Sequence, residues 1–129
     1  MKANVAWGAS GSNRAEIGSV EELDLLIDHL EQSAQRPLIL DLVIPGTGSL
    51  SMGVGREETV LSFVPESQDP PYFHSVGPIE DGEDLIFYYY DQWTDFPHRQ
   101  AIPISQGREV LRRFLTERTL PDVIQWEET

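Results

Sequence analysis

The chain has no cysteine, and between Arg56 and Arg99 it has no lysine or arginine. The first absence excludes disulfides, thiolate metal sites and a cysteine nucleophile. The second leaves a stretch charged with one sign: Glu57, Glu58, Glu66, Asp69, Glu80, Asp81, Glu83, Asp84, Asp91 and Asp95. Nine basic residues against 22 acidic ones give the 129 residues a net charge of −13. That balance disfavours nucleic acid and anionic membrane surfaces, where Lys and Arg must meet phosphate. No run approaches the ~20 apolar residues of a membrane span. The opening residues turn polar by Ser10, without the apolar run of a signal peptide. With no repeat and no long linker, the expectation is a soluble cytoplasmic protein whose residues 1–129 form one domain.

Threaded through the acidic stretch are Tyr72, Phe73, Phe87, Tyr88, Tyr89, Tyr90, Trp93 and Phe96. Charge of one sign beside aromatic surface suits a docking face for a cationic protein, because charge steers the encounter and rings anchor the contact. The competing reading is a solvated loop face around ordinary core strands. Strand alternation sends Phe87 and Tyr89 to one side and Ile86, Tyr88 and Tyr90 to the other. At least one Tyr is then free to stand exposed beside Asp91 and Trp93; in the alternative all of them cover core.

Periodicity places the elements. Val5 and Trp7 mark a short strand, closed by a flexible segment over 8–12. Ser19-Val20-Glu21-Glu22 is a capping box, and Val20, Leu23, Leu26, Ile27 and Leu30 predict a helix over 20–34, stopped by Pro37. Leu38 to Ile44 reads as a buried strand interrupted only by Asp41. Leu50, Met52 and Val54, then Val60 to Val64, read as an antiparallel pair, and the proline-rich 65–71 as a loop. Strands are expected over 72–76 and 84–90, with 91–95 turning the chain back. Ser105 is expected to cap a second helix reaching Glu117, with Val110, Leu111, Phe114 and Leu115 inward, and 123–126 to form a last strand. The order argues for an α+β fold, a largely antiparallel β-sheet with two α-helices packed on one side.

Catalytic patterns are thin. Gly46-Thr47-Gly48 and Gly53-Val54-Gly55 lack the Lys and helix of a phosphate loop, so backbone freedom in hairpins is their expected role. His29, His74 and His98 are not spaced to share a metal, and Glu80-Asp81-Gly82-Glu83-Asp84 does not match a calcium loop. Neither Glu57-Glu58 nor Glu127-Glu128 makes an acid/base dyad alone, since neighbours on a strand point oppositely. No nucleophile elbow surrounds a serine. No cofactor or metal is expected. Arg108, Arg112, Arg113 and Arg118, interspersed with Glu109 and Glu117, read as a solvated outer face of the second helix, which polarises the molecule.

The close of the chain, Phe114-Leu115 through Pro121 to Val123-Ile124-Gln125-Trp126-Glu127-Glu128, resembles the C-terminal signature of the Imm1 family of bacterial immunity proteins. Leu50 to Gly55 with Val60 to Phe63 looks like that family's central hairpin. The Tyr-rich 87–90 and Phe96-Pro97 before Ile102-Pro103-Ile104-Ser105 also fit. Gly107 in the second helix and Thr119-Leu120-Pro121 depart from the pattern. The resemblance spans about residues 20–129. It implies a non-enzymatic inhibitor of a cognate toxin in a polymorphic toxin system, typically a nucleic-acid deaminase. Such a toxin needs a basic groove for phosphates, which acidic side chains can occupy. The candidate partner-binding residues are Glu80, Asp81, Glu83, Asp84, Asp91 and Asp95 for charge, with Tyr88, Tyr90 and Trp93 as anchors. A non-immunity acidic adaptor or regulatory subunit using the same face is the alternative.

Overall fold

The computed structural model describes residues 2–8 and 13–129, so the rest of the segment expected to close the first strand, 9–12, lies outside the described residues. In chain order the elements are β1 (Ala3–Trp7), β2 (Asn13–Ile17), α1 (Val20–Ser33), β3 (Leu38–Ile44), β4 (Gly48–Val54), β5 (Glu58–Thr59) and β6 (Leu61–Pro65). They continue with β7 (Phe73–Val76), β8 (Leu85–Tyr89), β9 (Gln92–Phe96), β10 (Ile102–Pro103), α2 (Ile104–Glu117) and β11 (Gln125–Glu128). The fold is the expected α+β class. One antiparallel path runs β11-β7-β6-β4-β3-β1-β2. The β8–β9 hairpin branches from it through a single parallel bridge, Leu38 to Tyr88. Among the described residues no helix is long and apolar enough to cross a membrane.

Helix α1 starts where its capping residues direct. The Glu22 N–H donates to Ser19 Oγ at 3.2 Å, and the Glu22 carboxylate reaches back to the Gly18 N–H at 3.3 Å. Helix α2 starts differently from expectation. Ser105 lies inside its first turn, and Pro103 occupies the cap position without a side-chain bond. The reason is that β10 pairs with β5 and runs straight into the helix, so the free Ile104 N–H donates to the carbonyl of Glu57 instead.

The two faces of β3 pack against different partners. Leu40, Leu42 and Ile44 join Leu50, Met52 and Val54 of β4 beneath Leu23 and Ile27 of α1 and Val110, Leu111 and Phe114 of α2. Ile39, on the opposite face, packs with Val60, Leu85, Phe87 and Ala101, and Tyr89 and Phe96 close over them. Gly53 makes that second layer possible. A Cβ there would stand 2.5 Å from the Phe87 ring, so its role is to admit an aromatic against mid-strand backbone and not to free a turn.

Three further elements differ from expectation. Residues 92–96 form a strand and not a turn, because the reversal needs only Tyr90 and Asp91. Strand β2, polar except for Ala15 and the buried Ile17, is an edge strand with no sequence signal. The last strand begins at Gln125, and Trp126 donates from Nε1 to the Pro121 carbonyl at 2.8 Å.

Candidate functional site: an acidic cleft and its aromatic hairpin

Cross-strand register sets which side chains the β8–β9 hairpin presents. Ile86 lies opposite Asp95 and Tyr88 opposite Trp93, so these four share one face. The Tyr88 and Trp93 rings meet edge to face with centroids 6.2 Å apart. On the far side of Tyr88 the Arg36 guanidinium stacks 3.8 Å from the ring centroid, and Asp91 pairs with Arg36. Trp93 donates from Nε1 to Asp95 at 2.8 Å and remains 63% exposed. The result is a row of cation and rings whose two ends are held by carboxylates, exposed at Arg36 and Trp93 and half-buried at Tyr88.

The hairpin's other face points into the protein. The Tyr89 hydroxyl donates to the Asp41 carboxylate at 2.9 Å, and Ser51 and Tyr90 donate to the same group. Tyr90 therefore does not stand with Tyr88, as alternation predicts. Positive φ at Tyr90 (49°) and Asp91 (71°) ends the strand geometry, and the Tyr90 ring swings beside Tyr89, centroids 4.7 Å apart. Asp41 is only 6% exposed. Burial, foremost, pushes the Tyr89 phenol up to about 12, with the negative Asp41 adding to the rise and the Ser51 hydrogen bond opposing it. Burial followed by the Asp41 hydrogen bond raises Tyr90 as well.

Ile86 carries the hairpin face into a cleft of about 840 Å³. Glu83 and Asp84, just before β8, form one wall. Arg56, Glu57 and Glu58 form another, Glu31 comes from α1, and Ile104 from the start of α2. Arg56 is committed to structure, donating from Nε to the Ile86 carbonyl at 3.0 Å. His98 ties the walls together, with Nδ1 3.0 Å from the Glu83 carbonyl and Nε2 3.2 Å from the Glu58 carboxylate. Five carboxylates against one guanidinium make the cleft strongly negative. Among the described residues no three His, Asp or Glu side chains are arranged to hold a metal ion.

The structure thus gathers Glu83 and Asp84 with Tyr88, Asp91, Trp93 and Asp95 along one surface. Glu80 and Asp81 are exposed in the preceding loop and do not line the cleft. Tyr90 is turned inward. Glu31 and Arg36, near the end of α1, complete the surface without a local signal in the sequence. Glu57 and Glu58 carried one only as members of the acidic run.

Arg113 lies on a solvated face of α2 beside Glu109 and Glu117, as expected, but Arg108 and Arg112 do not. Arg108, 15% exposed, lies 2.7 Å from Asp28 and 3.5 Å from both Asp24 and Glu31, and Arg112 lies 2.9 Å from Asp24. Burial alone lowers the Arg108 pKa, but the carboxylates outweigh it and the net shift is upward. Helix α1 neutralises Arg108 and Arg112, and of the cleft acids only Glu31 shares in that pairing.

The terminal Trp126-Glu127 run is also spoken for. Arg99 clasps Glu127 through two bonds of 2.8 Å, which lower the Glu127 carboxyl below its ordinary range. These contacts tie β11, already paired with β7, to the turn at 98–100, so the most recognisable run of the sequence serves the fold.

An acid-walled cleft continuous with the half-buried Tyr88 and the exposed Trp93 sits on a small α+β scaffold. Over residues 11–128 the chain matches the model of a family of immunity proteins, the class that neutralises toxins. The chain belongs to the Imm1 family. No functionally curated protein matches it. Its fold is similar to that in a crystal structure of a hypothetical protein from Neisseria gonorrhoeae, with a TM-score of 0.53 at 10% identity over 96% of this chain and 93% of that one. At that identity the likeness speaks for the fold alone.

Proposed function

We propose that this chain is a single-domain, non-catalytic cytoplasmic inhibitor that seats its acidic cleft and the Tyr88–Trp93 row in the basic groove of a cognate toxin. The toxin best matched to such a surface is a nucleic-acid deaminase. Its groove must be positive to bind phosphates and must leave an opening for the target base. Glu83 and Asp84 stand where phosphates would go, and Trp93 supplies the anchoring area. The observation that carries the reading is the continuity of the two features through Ile86, on opposite sides of which lie the cleft and the Tyr88–Trp93 row. A standard interface of about 1,600 Å² covers both. Tight binding then needs only a few well-packed anchors.

Co-expression with the toxin encoded beside it tests this reading. The wild-type chain should restore growth and co-purify with the toxin at one to one. A Glu83→Lys/Asp84→Lys/Trp93→Ala variant that folds but still rescues growth would remove the surface from the account.

A further inference from the structure

The β8–β9 hairpin reverses through two residues poorly suited to the backbone they adopt. Tyr89 and Gln92 pair directly, so Tyr90 and Asp91 form a two-residue loop with φ of 49° and 71°. Positive φ at both positions is the type I′ pattern, normally filled by Asn-Gly or Gly-Gly because a Cβ crowds the backbone there. A bulky ring at such a φ persists only where its surroundings hold it.

Two contacts do so. Tyr90 donates its hydroxyl to Asp41, and Asp91 pairs with Arg36. Asp41 projects from β3, near the centre of the sheet, as a buried carboxylate with no part in the cleft. Among the described residues, its hydrogen-bond donors are all hydroxyls, from Ser51 of β4 and from Tyr89 and Tyr90 of the hairpin. A buried carboxylate is costly unless such donors satisfy it. Its placement makes sense as a fixed point for the loop.

We propose that Asp41 and Tyr90 form a latch that holds the hairpin loop in its strained conformation and so presets Tyr88 and Trp93. They are positioning residues, set away from the exposed face. The use of the preset face rests on the toxin-binding reading; the latch itself does not.

Hydrogen exchange on the free chain tests it. Tyr90→Phe removes only the hydroxyl, and should speed exchange of the β9 amides paired with β8 by about tenfold, leaving the β3 and β4 amides unchanged. Tyr90→Asn/Asp91→Gly lacks the latch too, but adopts positive φ without strain, and should restore β9 protection. A merely structural hydrogen bond predicts no such rescue. Unchanged β9 exchange in Tyr90→Phe, or lost protection that Asn-Gly fails to restore, overturns the latch. Because no toxin is present, neither result depends on where a toxin binds.

Discussion

The guanidinium carbon of Arg36 lies 3.8 Å from the centre of the Tyr88 ring, which in turn meets Trp93 edge to face. A cation from outside the acidic stretch thereby supports Tyr88 and, through it, the exposed Trp93. Rings fixed before binding lose little freedom on binding, which is where much affinity is otherwise lost.

Trp93 is the exposed ring of that row and the anchor in the proposed interface. Trp93→Ala should shorten the lifetime of the toxin complex about 30-fold, the equivalent of about 2 kcal/mol. Being 63% exposed, the side chain contributes little to the core, so stability should change by no more than about 0.5 kcal/mol. Dissociation kinetics and a denaturant titration measure the two effects separately.

Gly107 shows why helix propensity misleads at one position of α2. Alanine there would add up to about 1 kcal/mol of intrinsic helix preference. However, its Cβ would stand 2.5 Å from the Thr59 methyl and 3.3 Å from the Met52 sulfur. Gly107→Ala should therefore destabilise the protein by about 1–3 kcal/mol, the usual penalty of overpacking. The exposed neighbour Gln106→Ala, read by the same denaturant titration, should be neutral.

The Asp41 cluster has a signature in base. Folding raises Tyr89 to about 12, whereas a phenol in the unfolded chain ionises near 10. The folded state thus favours the protonated phenol. Its contribution to stability is fully present below the unfolded value and disappears as pH climbs from about 10 to about 12. Tyrosinate absorbance should show phenols that ionise only as the protein unfolds. Asp41→Asn removes the negative charge and should bring their ionisation to lower pH.

The helix–helix seam predicts a separation of roles. Arg108→Ala leaves Asp24, Asp28 and Glu31 without their shared cation, in a place where Arg108 is only 15% exposed. A loss of about 1–2 kcal/mol is expected, discounted because Asp28 is half exposed. By contrast, Arg113→Glu on the outer surface of α2 should leave toxin association unaffected. A marked effect there would move the interface to α2.

What the sequence made legible was local. The capping box of α1, the apolar run of β3 and the alternation of β4 and β6 each reflect interactions within a few residues. What it hid depended on distant partners. Asp91 to Asp95 reads as a turn by composition, yet the reversal ends at Asp91 and Gln92 onward pairs with β8, in a loop where Tyr90 bonds Asp41, 49 positions earlier. Ser105 looks like a cap, but the Glu57 backbone reaches the helix start first. The α2 arginines look solvated because the carboxylates that bind Arg108 and Arg112 lie in α1, as far as 88 positions away. The same holds for the site. Its acidic run was visible, whereas Glu31 joins the cleft from α1, and Arg36 reaches Tyr88 only because the segment between α1 and β3 runs beside β8.

The most direct test is the rate of toxin association across ionic strength, for the wild-type chain and for Asp81→Lys/Glu83→Lys/Asp84→Lys. If the acidic loop steers the encounter, the variant associates more slowly and with a flatter salt dependence, with dissociation little changed. Association that keeps its rate and its salt dependence places the acidic loop outside the interface.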